Sequence, residues 1–432
     1  MAWFRRAARR PGGLSPRVVV VGTGFAGMAS VSRLSRAGMH VTLVDRNIYS
    51  TFQPLLYQVA TGGLNPSDVA YPIRGFAHRY GARFVHAELA DIDDAARKVT
   101  LASGEKLDYD YLILATGVSA SYYGITGADR YTQGLYTRRD AVALRDQVLD
   151  WLERLSADGM GREWAVTVVG GGATGVELAG TLAELRNIAL PTAYPDVDRS
   201  RMHIRLIEQA PVLLAPFHPS LQDYAGRQLL ARGVDVRLNA TIREVTEDHV
   251  VLDDGEHVPS DITVWAAGVS ARDSAGGWGL PQGRGGRIEV GPDLRVTGHD
   301  RVFAVGDVAL IEGQPLPQLA QPALQTGRHA AEQITRLAAG RPTTRFQYRD
   351  KGILATIGRH SAVVQLTHGV RIRGWLAWIA WLALHLVTLL GNRNRISAMI
   401  NLSYRYLSWG HGGALLVDSD PPPPAEPGPP PA

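Results

Sequence analysis

Two matching clusters of glycine carry the first chemical signal in this 432-residue chain: Gly22-Thr23-Gly24-Phe25-Ala26-Gly27 and Gly170-Gly171-Gly172-Ala173-Thr174-Gly175. In each cluster the first glycine permits a tight turn and the second lets a pyrophosphate approach the backbone. The third allows close packing of helix on strand, and the helix start offers N–H donors and a positive dipole end to phosphates. An acid follows each cluster. Asp45 stands 23 residues beyond Gly22, close to the roughly 20 expected of a group that accepts hydrogen bonds from a ribose diol. Glu208 stands 38 residues beyond Gly170, which requires an insertion, placed at 187–201 around Pro191 and Pro195. An acid at that strand end repels a 2′-phosphate, so the second site should prefer NADH over NADPH.

The elements that must position these groups read as strand, glycine turn, helix, strand, twice over. Residues 17–21 form a β-branched run ending at Gly22, 28–37 read as a helix, and 40–44 form a strand that ends in Asp45. Later, 165–169 lead into Gly170, 176–188 read as a helix, and 203–207 end in Glu208. The first glycines lie 148 residues apart, an internal repeat at the level of motif. Three further short strands end in small residues: 111–114 before Ala115-Thr116-Gly117, 262–265 before Ala266-Ala267-Gly268, and 301–305 into Gly306-Asp307. The expected fold is α/β, with two Rossmann-type dinucleotide-binding domains, the NAD domain inserted in the FAD domain, and a C-terminal membrane-attachment region.

Composition narrows the chemistry. The chain has 45 basic and 41 acidic side chains, a net charge of +4, and five arginines (Arg5, Arg6, Arg9, Arg10 and Arg17) among its first 17 residues. Without that leader the remainder sits near −1, so the basic excess is a tail and no nucleic acid is expected as a partner. Cysteine is absent. That excludes a disulfide, a thiolate zinc site, a Cys-ligated iron–sulfur cluster and a Cys nucleophile, and no metal is expected. Two dinucleotide sites without a dithiol imply a flavin and a nicotinamide held face to face, the flavin splitting a hydride into single electrons.

Near the C-terminus, 374–392 carry no formal charge, with Arg371 and Arg373 on one flank and Arg393 and Arg395 on the other. Nineteen helical residues would span ~28 Å, about one hydrocarbon core. Trp375, Trp378 and Trp381 are expected on one side and Ala377, Ala380 and Ala383 on another. In the next segment Ile396, Met399, Ile400, Ser403 and Leu407 recur at helical spacing, with Ser397, Asn401, Arg405 and Ser408 opposite, an amphipathic pattern. Such a pair of helices is expected to lie in the bilayer interface without crossing it, and it supplies no path of paired intramembrane charges for proton pumping. The expected division is a disordered basic leader at 1–16, an FAD-binding domain at 17–120 and 271–345, and an NAD-binding domain at 121–270. Membrane attachment falls at 346–417 and a disordered proline-rich tail at 418–432.

The chain resembles the type II NADH:quinone oxidoreductases, the single-subunit, non-pumping respiratory NADH dehydrogenases, from about residue 18 to 410. The resemblance rests above all on Thr51-Phe52-Gln53-Pro54-Leu55-Leu56-Tyr57-Gln58-Val59-Ala60-Thr61 and on Ala320-Gln321-Pro322-Ala323-Leu324-Gln325. Further support comes from the stretch Gly172 to Gly180 containing Glu177, from Val302-Phe303-Ala304-Val305-Gly306-Asp307, from Asp350-Lys351-Gly352, and from Ala355-Thr356-Ile357-Gly358-Arg359. The resemblance implies non-covalent FAD held by Gly22, Gly24, Phe25, Ala26, Gly27, Asp45 and Arg46. Gln53 and Pro54 would lie near the flavin ring, Thr116 and Gly117 at the cofactor's border, and Asp307 on the ribityl chain. It implies NADH on Gly170, Gly172, Thr174, Gly175 and Glu208, with Gly268, Ala320 and Lys351 completing the cofactor set. Glu177 would align the hydride donor, and Gln321 and Gln325 would face the quinone, menaquinone or ubiquinone. It also implies a homodimer bound peripherally to the cytoplasmic face of the cell membrane.

Plainer roles exist for the same residues. Glu177 suits a helix dipole, Gln321 and Gln325 suit a solvated i,i+4 pair, and Asp307 suits an N-cap. Lys351 is one of three lysines beside 42 arginines, which suggests a role arginine cannot fill. Ser50-Thr51 stands where relatives often carry a histidine. The alternatives are a soluble NADH-dependent flavin reductase serving a ferredoxin-like protein, which would not need the apolar C-terminal segment, and a catalytically idle nucleotide sensor. Sulfide:quinone and disulfide reductases are excluded by the missing cysteines.

Overall fold

The computed structural model describes residues 15–157, 162–271 and 273–408; the basic leader up to residue 14 and the proline-rich tail lie outside the described residues. The first β-branched run forms the strand Arg17–Val21, and helix α1 (Phe25–Arg36) leaves the glycine loop directly, three residues earlier than its apolar periodicity suggests. Arg17–Val21 pairs in parallel with His40–Asp45 on one side and Tyr111–Leu114 on the other. Arg83–His86 and Val302–Ala304 complete a five-stranded parallel sheet. Val18, Val19, Val20 and Val21 are all buried, as strands covered on both faces require.

The second unit repeats the first. Helix α2 (Arg138–Ala157) precedes the strand Trp164–Val169, and helix α3 (Ala173–Glu184) again starts within its glycine loop. The sheet order is Thr132–Gly134, Ile262–Trp265, Trp164–Val169, Met202–Ile207 and Val234–Arg237, all parallel. Each unit also carries a three-stranded antiparallel meander, at Leu89–Asp93 to Lys106–Asp108 and at Ile242–Val245 to His257–Pro259. The α-helical hydrogen bonding of α3 stops at Glu184, short of residue 188. A π turn (Leu185–Ala189) and a short helix (Leu190–Ala193) carry the apolar pattern onward because Leu185 and Leu190 still reach the core. This excursion is the insertion expected before Glu208. Where the chain passes between the units, Ser119–Ala120 and Val269–Ser270 pair as a short antiparallel ribbon.

Helix α4 (Ala320–Ala338) packs along α1. A third, antiparallel sheet follows: Ile353–Gly358, Ser361–Gln365 and Arg371–Gly374. Its first strand lies on α3, and its middle strand carries helix α5 (Trp375–Thr388). Leu389 turns extended (ψ 133°) and Gly391 takes φ +85°, so α5 ends before helix α6 (Asn392–Ser408) begins. Among the described residues no helix is long and apolar enough to cross a membrane.

The expected faces of α5 need correction. Trp378 and Trp381 are buried whereas Trp375 is 57% exposed, and Ala377 is buried while Ala380 and Ala383 face outward. A three-residue step falls about 60° short of a full turn, so such triplets spread over a third of the helix. The outward stripe is Trp375, Leu376, Ile379, Leu384 and Val387. On α6 Ile396, Met399 and Ile400 also face outward. Its polar side faces the protein instead: Ser397 Oγ and Asn401 Nδ2 each donate to the buried Asp68 carboxylate at 2.6 Å.

Candidate active site

The two glycine loops have the same construction. Gly22 holds φ +102°, and a Cβ there would lie 2.2 Å from the Ala115 carbonyl oxygen; a Cβ on Gly27 would lie 1.9 Å from the Gly22 oxygen. Above Gly24 nothing lies within 4 Å, so that backbone is open to a ligand. In the second loop Gly170 holds φ +109°, Gly172 is open, and a Cβ on Gly175 would lie 1.8 Å from the Gly170 oxygen.

The acids repeat as well, in a role the spacing did not reveal. Asp45 Oδ2 accepts the Thr23 N–H and hydroxyl, both at 2.7 Å, and its Oδ1 accepts the Asn47 N–H at 2.7 Å. Glu208 Oε2 accepts the Gly171 N–H at 2.5 Å and its Oε1 the Ala210 N–H at 2.7 Å. Each carboxylate therefore fixes the glycine loop beside it.

A cavity of about 540 Å³ opens over the first loop and gathers seven of the sequence-derived residues: Gly22, Gly24, Asp45, Arg46, Gln53, Thr116 and Gly117. Phe25, Ala26 and Gly27 lie behind it at the start of α1, and Pro54 sits in the turn Gln53–Leu55. Two acceptors await partners. Gln53 Oε1 and Asp307 Oδ1 are buried without a hydrogen bond. Burial pushes the Asp307 carboxyl up to about 6, against the pull of Arg287. Orphaned acceptors, an open glycine backbone and a ribose-ready acid fit a bound dinucleotide. Gly172 and Thr174, by contrast, stand exposed on the second loop, and Gly268 ends the strand beside it.

Glu177 points away from that second loop's rim. It is buried on α3, where its Oε1 accepts the Thr356 N–H of the third sheet at 3.2 Å. Burial pushes its carboxyl up to about 8, opposed by the Thr356 N–H and the Trp381 indole. Two turns on, Glu184 accepts the Arg359 N–H. Gly180 between them lets the backbones touch, since a Cβ there would lie 2.2 Å from the Ile357 oxygen.

An aromatic row connects this region with the first loop. Phe25 meets Phe52 edge-on (5.7 Å between centroids), Phe52 meets His385 (6.2 Å), His385 stacks on Trp381 (4.1 Å), and Trp381 reaches Tyr57 (6.2 Å). His385 Nδ1 donates to the Trp381 carbonyl at 2.8 Å, and burial pushes its pKa down to about 4, so the ring is neutral. Sequence reasoning singled out neither Thr356 nor His385 as a functional residue. The only local signal for His385 was a polar side chain inside an apolar helix.

The two glutamines differ. The Gln325 amide donates to the Arg349 carbonyl (2.9 Å) and accepts the Arg349 N–H (3.0 Å), a two-point tie on the strand leading to Lys351. Gln321, one turn earlier and half-buried, makes no side-chain hydrogen bond among the described residues. Ala320 opens α4 and is half-buried, and Lys351 is exposed.

The sequence pattern of the pyridine nucleotide-disulphide oxidoreductase family matches residues 16–327. The type II NADH:quinone oxidoreductase Ndh of Mycobacterium tuberculosis is 35% identical over 421 residues, 93% of this chain and 90% of that protein. NdhA of the same organism, of the same description, is 38% identical over 422 residues, 93% and 89% of the two chains. Among solved structures, NDH2 from Plasmodium falciparum in complex with NADH superposes with a TM-score of 0.86 at 20% identity, covering 92% of this chain and 99% of its own. A sulfide:quinone oxidoreductase from Aquifex aeolicus shares the fold (TM-score 0.74, 18% identity, 92% and 96% covered).

Proposed function

This chain belongs to the type II NADH:quinone oxidoreductases, within the pyridine nucleotide-disulphide oxidoreductase family, and from that premise we propose that it carries electrons from NADH to a membrane quinone through FAD. The overall change is NADH + H⁺ + quinone to NAD⁺ + quinol. The observation that carries the reading is the duplicated dinucleotide loop, with its second helix built against a C-terminal unit that faces outward with apolar side chains. A soluble flavin reductase has no use for that unit.

FAD, when bound, accepts a hydride from NADH and passes the electrons on to quinone. The chain supplies the positioning. Asp45 and the loop Gly22–Gly27 would hold the ADP half of FAD, Gln53 and Asp307 would satisfy polar groups of its flavin half, and Glu208 would select NADH. Glu177, kept protonated near neutral pH, offers an O–H where a carboxylate would repel an electron-rich ring. Gln321, with its amide unengaged, is the glutamine that would orient a quinone carbonyl. Disulfide chemistry is closed to a chain without cysteine.

The outward stripe of α5 and α6 supports attachment to a lipid surface on the side that supplies NADH. No acid occurs between Asp350 and Asp418, and Arg371, Arg373, Arg393 and Arg395 are exposed beside the stripe, suiting anionic headgroups. The division into an FAD unit (17–120 and 271–345), an NAD unit (121–270) and an attachment unit (346–417) follows the three main sheets. Anaerobic NADH titration of the purified protein, with and without a short-chain quinone, tests the whole. A flavin band that bleaches with NADH and recovers on adding quinone is expected, and a band unresponsive to either overturns the reading.

A further inference from the structure

We propose that Arg138, which belongs to the NAD unit, reaches into the cavity of the FAD unit and holds the diphosphate of FAD. The inference rests on the reading of that cavity as the FAD site. Arg138 lines the cavity yet makes no hydrogen bond or ion pair among the described residues, and its Nε is buried without a partner. Its guanidinium lies 4.7 Å from the ring centroid of Tyr49, which also lines the cavity. The ring supplies a face for the cation but no counter-charge. A half-buried guanidinium left in this state is costly unless a ligand completes it.

The other charges around the cavity are already committed. Arg46 pairs with Glu88 at 3.8 Å. Asp45 accepts the N–H groups of its own loop. Asp140 accepts the Tyr136 and Thr137 N–H groups at 3.0 and 2.8 Å, and this start of α2 fixes the backbone from which Arg138 projects. The anionic part of FAD is its diphosphate, and a planar fork of N–H donors matches phosphate oxygens. The consequence is mechanical. FAD would tie the NAD unit to the FAD unit through one side chain, so that flavin retention and the seating of NADH over the flavin depend on the same contact.

The test uses holoenzyme with Arg138→Gln, Arg138→Lys and, as a control, the exposed neighbour Arg139→Gln. Free flavin is measured by ultrafiltration over a dilution series at low and high salt, with the fold followed by far-UV circular dichroism. Loss of charge-assisted hydrogen bonds predicts FAD bound about ten- to a hundredfold more weakly in Arg138→Gln. Arg138→Lys should recover part of the loss, and high salt should narrow the gap. Arg139→Gln should match the wild type, and added ADP should displace flavin less readily from Arg138→Gln than from wild type when both start equally loaded. Equal FAD affinity in wild type and Arg138→Gln overturns the proposal. A matching loss of circular dichroism signal does so too, since it makes the residue merely structural. Wild-type protein that binds no FAD at all overturns the FAD reading itself, a different result from an unaffected variant.

Discussion

Glu177 and Thr356 lie 179 residues apart in the chain and meet through one hydrogen bond, from the Thr356 N–H to Glu177 Oε1 at 3.2 Å. The bond joins the helix that leaves the second glycine loop to the first strand of the C-terminal sheet. With Glu184 bonded to Arg359 and Gly180 against Ile357, it makes one rigid seam along α3. The element that would seat NADH and the element that carries the outward apolar helices are therefore one mechanical piece.

That seam should be sensitive to pH in a defined direction. The Glu177 carboxyl rises from its ordinary 4.5 to about 8 on folding, so the folded state holds a proton that the unfolded state releases. The associated stability is complete below about pH 4.5 and is lost as pH climbs through about 8. Wild-type protein should lose Tm across this window more steeply than Glu177→Gln, whose amide keeps the shape and cannot ionise. Parallel Tm profiles for the two proteins would show that burial of this carboxyl does not matter.

Nucleotide choice follows from Glu208. Both of its oxygens are held by backbone N–H groups, so the carboxylate is fixed at the strand end where the adenosine ribose would lie. Catalytic efficiency with NADH should exceed that with NADPH at least tenfold, the effect of about 1.4 kcal/mol. Comparable efficiencies would remove Glu208 from that position.

How much of this was readable beforehand depends on the range of each contact. The glycine triads and their following strands are local, so spacing alone placed Gly22, Gly24, Gly170 and Gly172. Helix starts were read late because Phe25 and Ala173 precede the apolar periodicity while the glycine loop already sets the helical turn. The Glu177 seam, the tie between Gln325 and Arg349 and the Asp68 bonds to α6 join residues 24 to 333 positions apart. Nothing in local pattern specifies such pairings. The amphipathicity of α6 was legible, yet only the packing shows that its polar side faces the protein.

That inversion defines how to test attachment. Removing α5 entirely would strip Trp378 and Trp381 from the core, so the sharper change is on the outward stripe. Lysine at Ile379, Val387 and Ile400, which are 46%, 68% and 58% exposed, should shift the protein from the membrane to the soluble fraction with FAD retained. A triple variant that still pellets with membranes after a high-salt wash would mean that the stripe is not the contact.

Asp68 should latch α6. The carboxylate is 2% exposed and accepts Ser397 Oγ, Asn401 Nδ2 and the Asn65 N–H, with Asn394 Nδ2 bonding the neighbouring Ala70 carbonyl. Asp68→Ala strands two side-chain donors at a site where bonds to a charged acceptor are worth about 1.5–3 kcal/mol each. Hydrogen exchange in 392–404 should accelerate while the two parallel sheets keep their protection. Unchanged exchange there would show that apolar packing alone holds the helix.

The two glutamines of α4 should separate in kinetics. Gln321 has a free amide, and losing one hydrogen bond to a quinone carbonyl costs about 0.5–1.5 kcal/mol, a two- to tenfold slowing. In stopped-flow at the flavin band, Gln321→Leu should slow reoxidation by quinone by that factor while bleaching by NADH stays near the wild-type rate. Gln325→Leu acts first on structure, because its amide holds both backbone groups of Arg349. It should expose 346–352 to trypsin at Arg349 and Lys351, a cleavage that Gln321→Leu does not provoke. If Gln321→Leu instead slows bleaching by NADH, or opens the same tryptic sites, its amide does not serve the quinone and the assignment of the pair must be reversed.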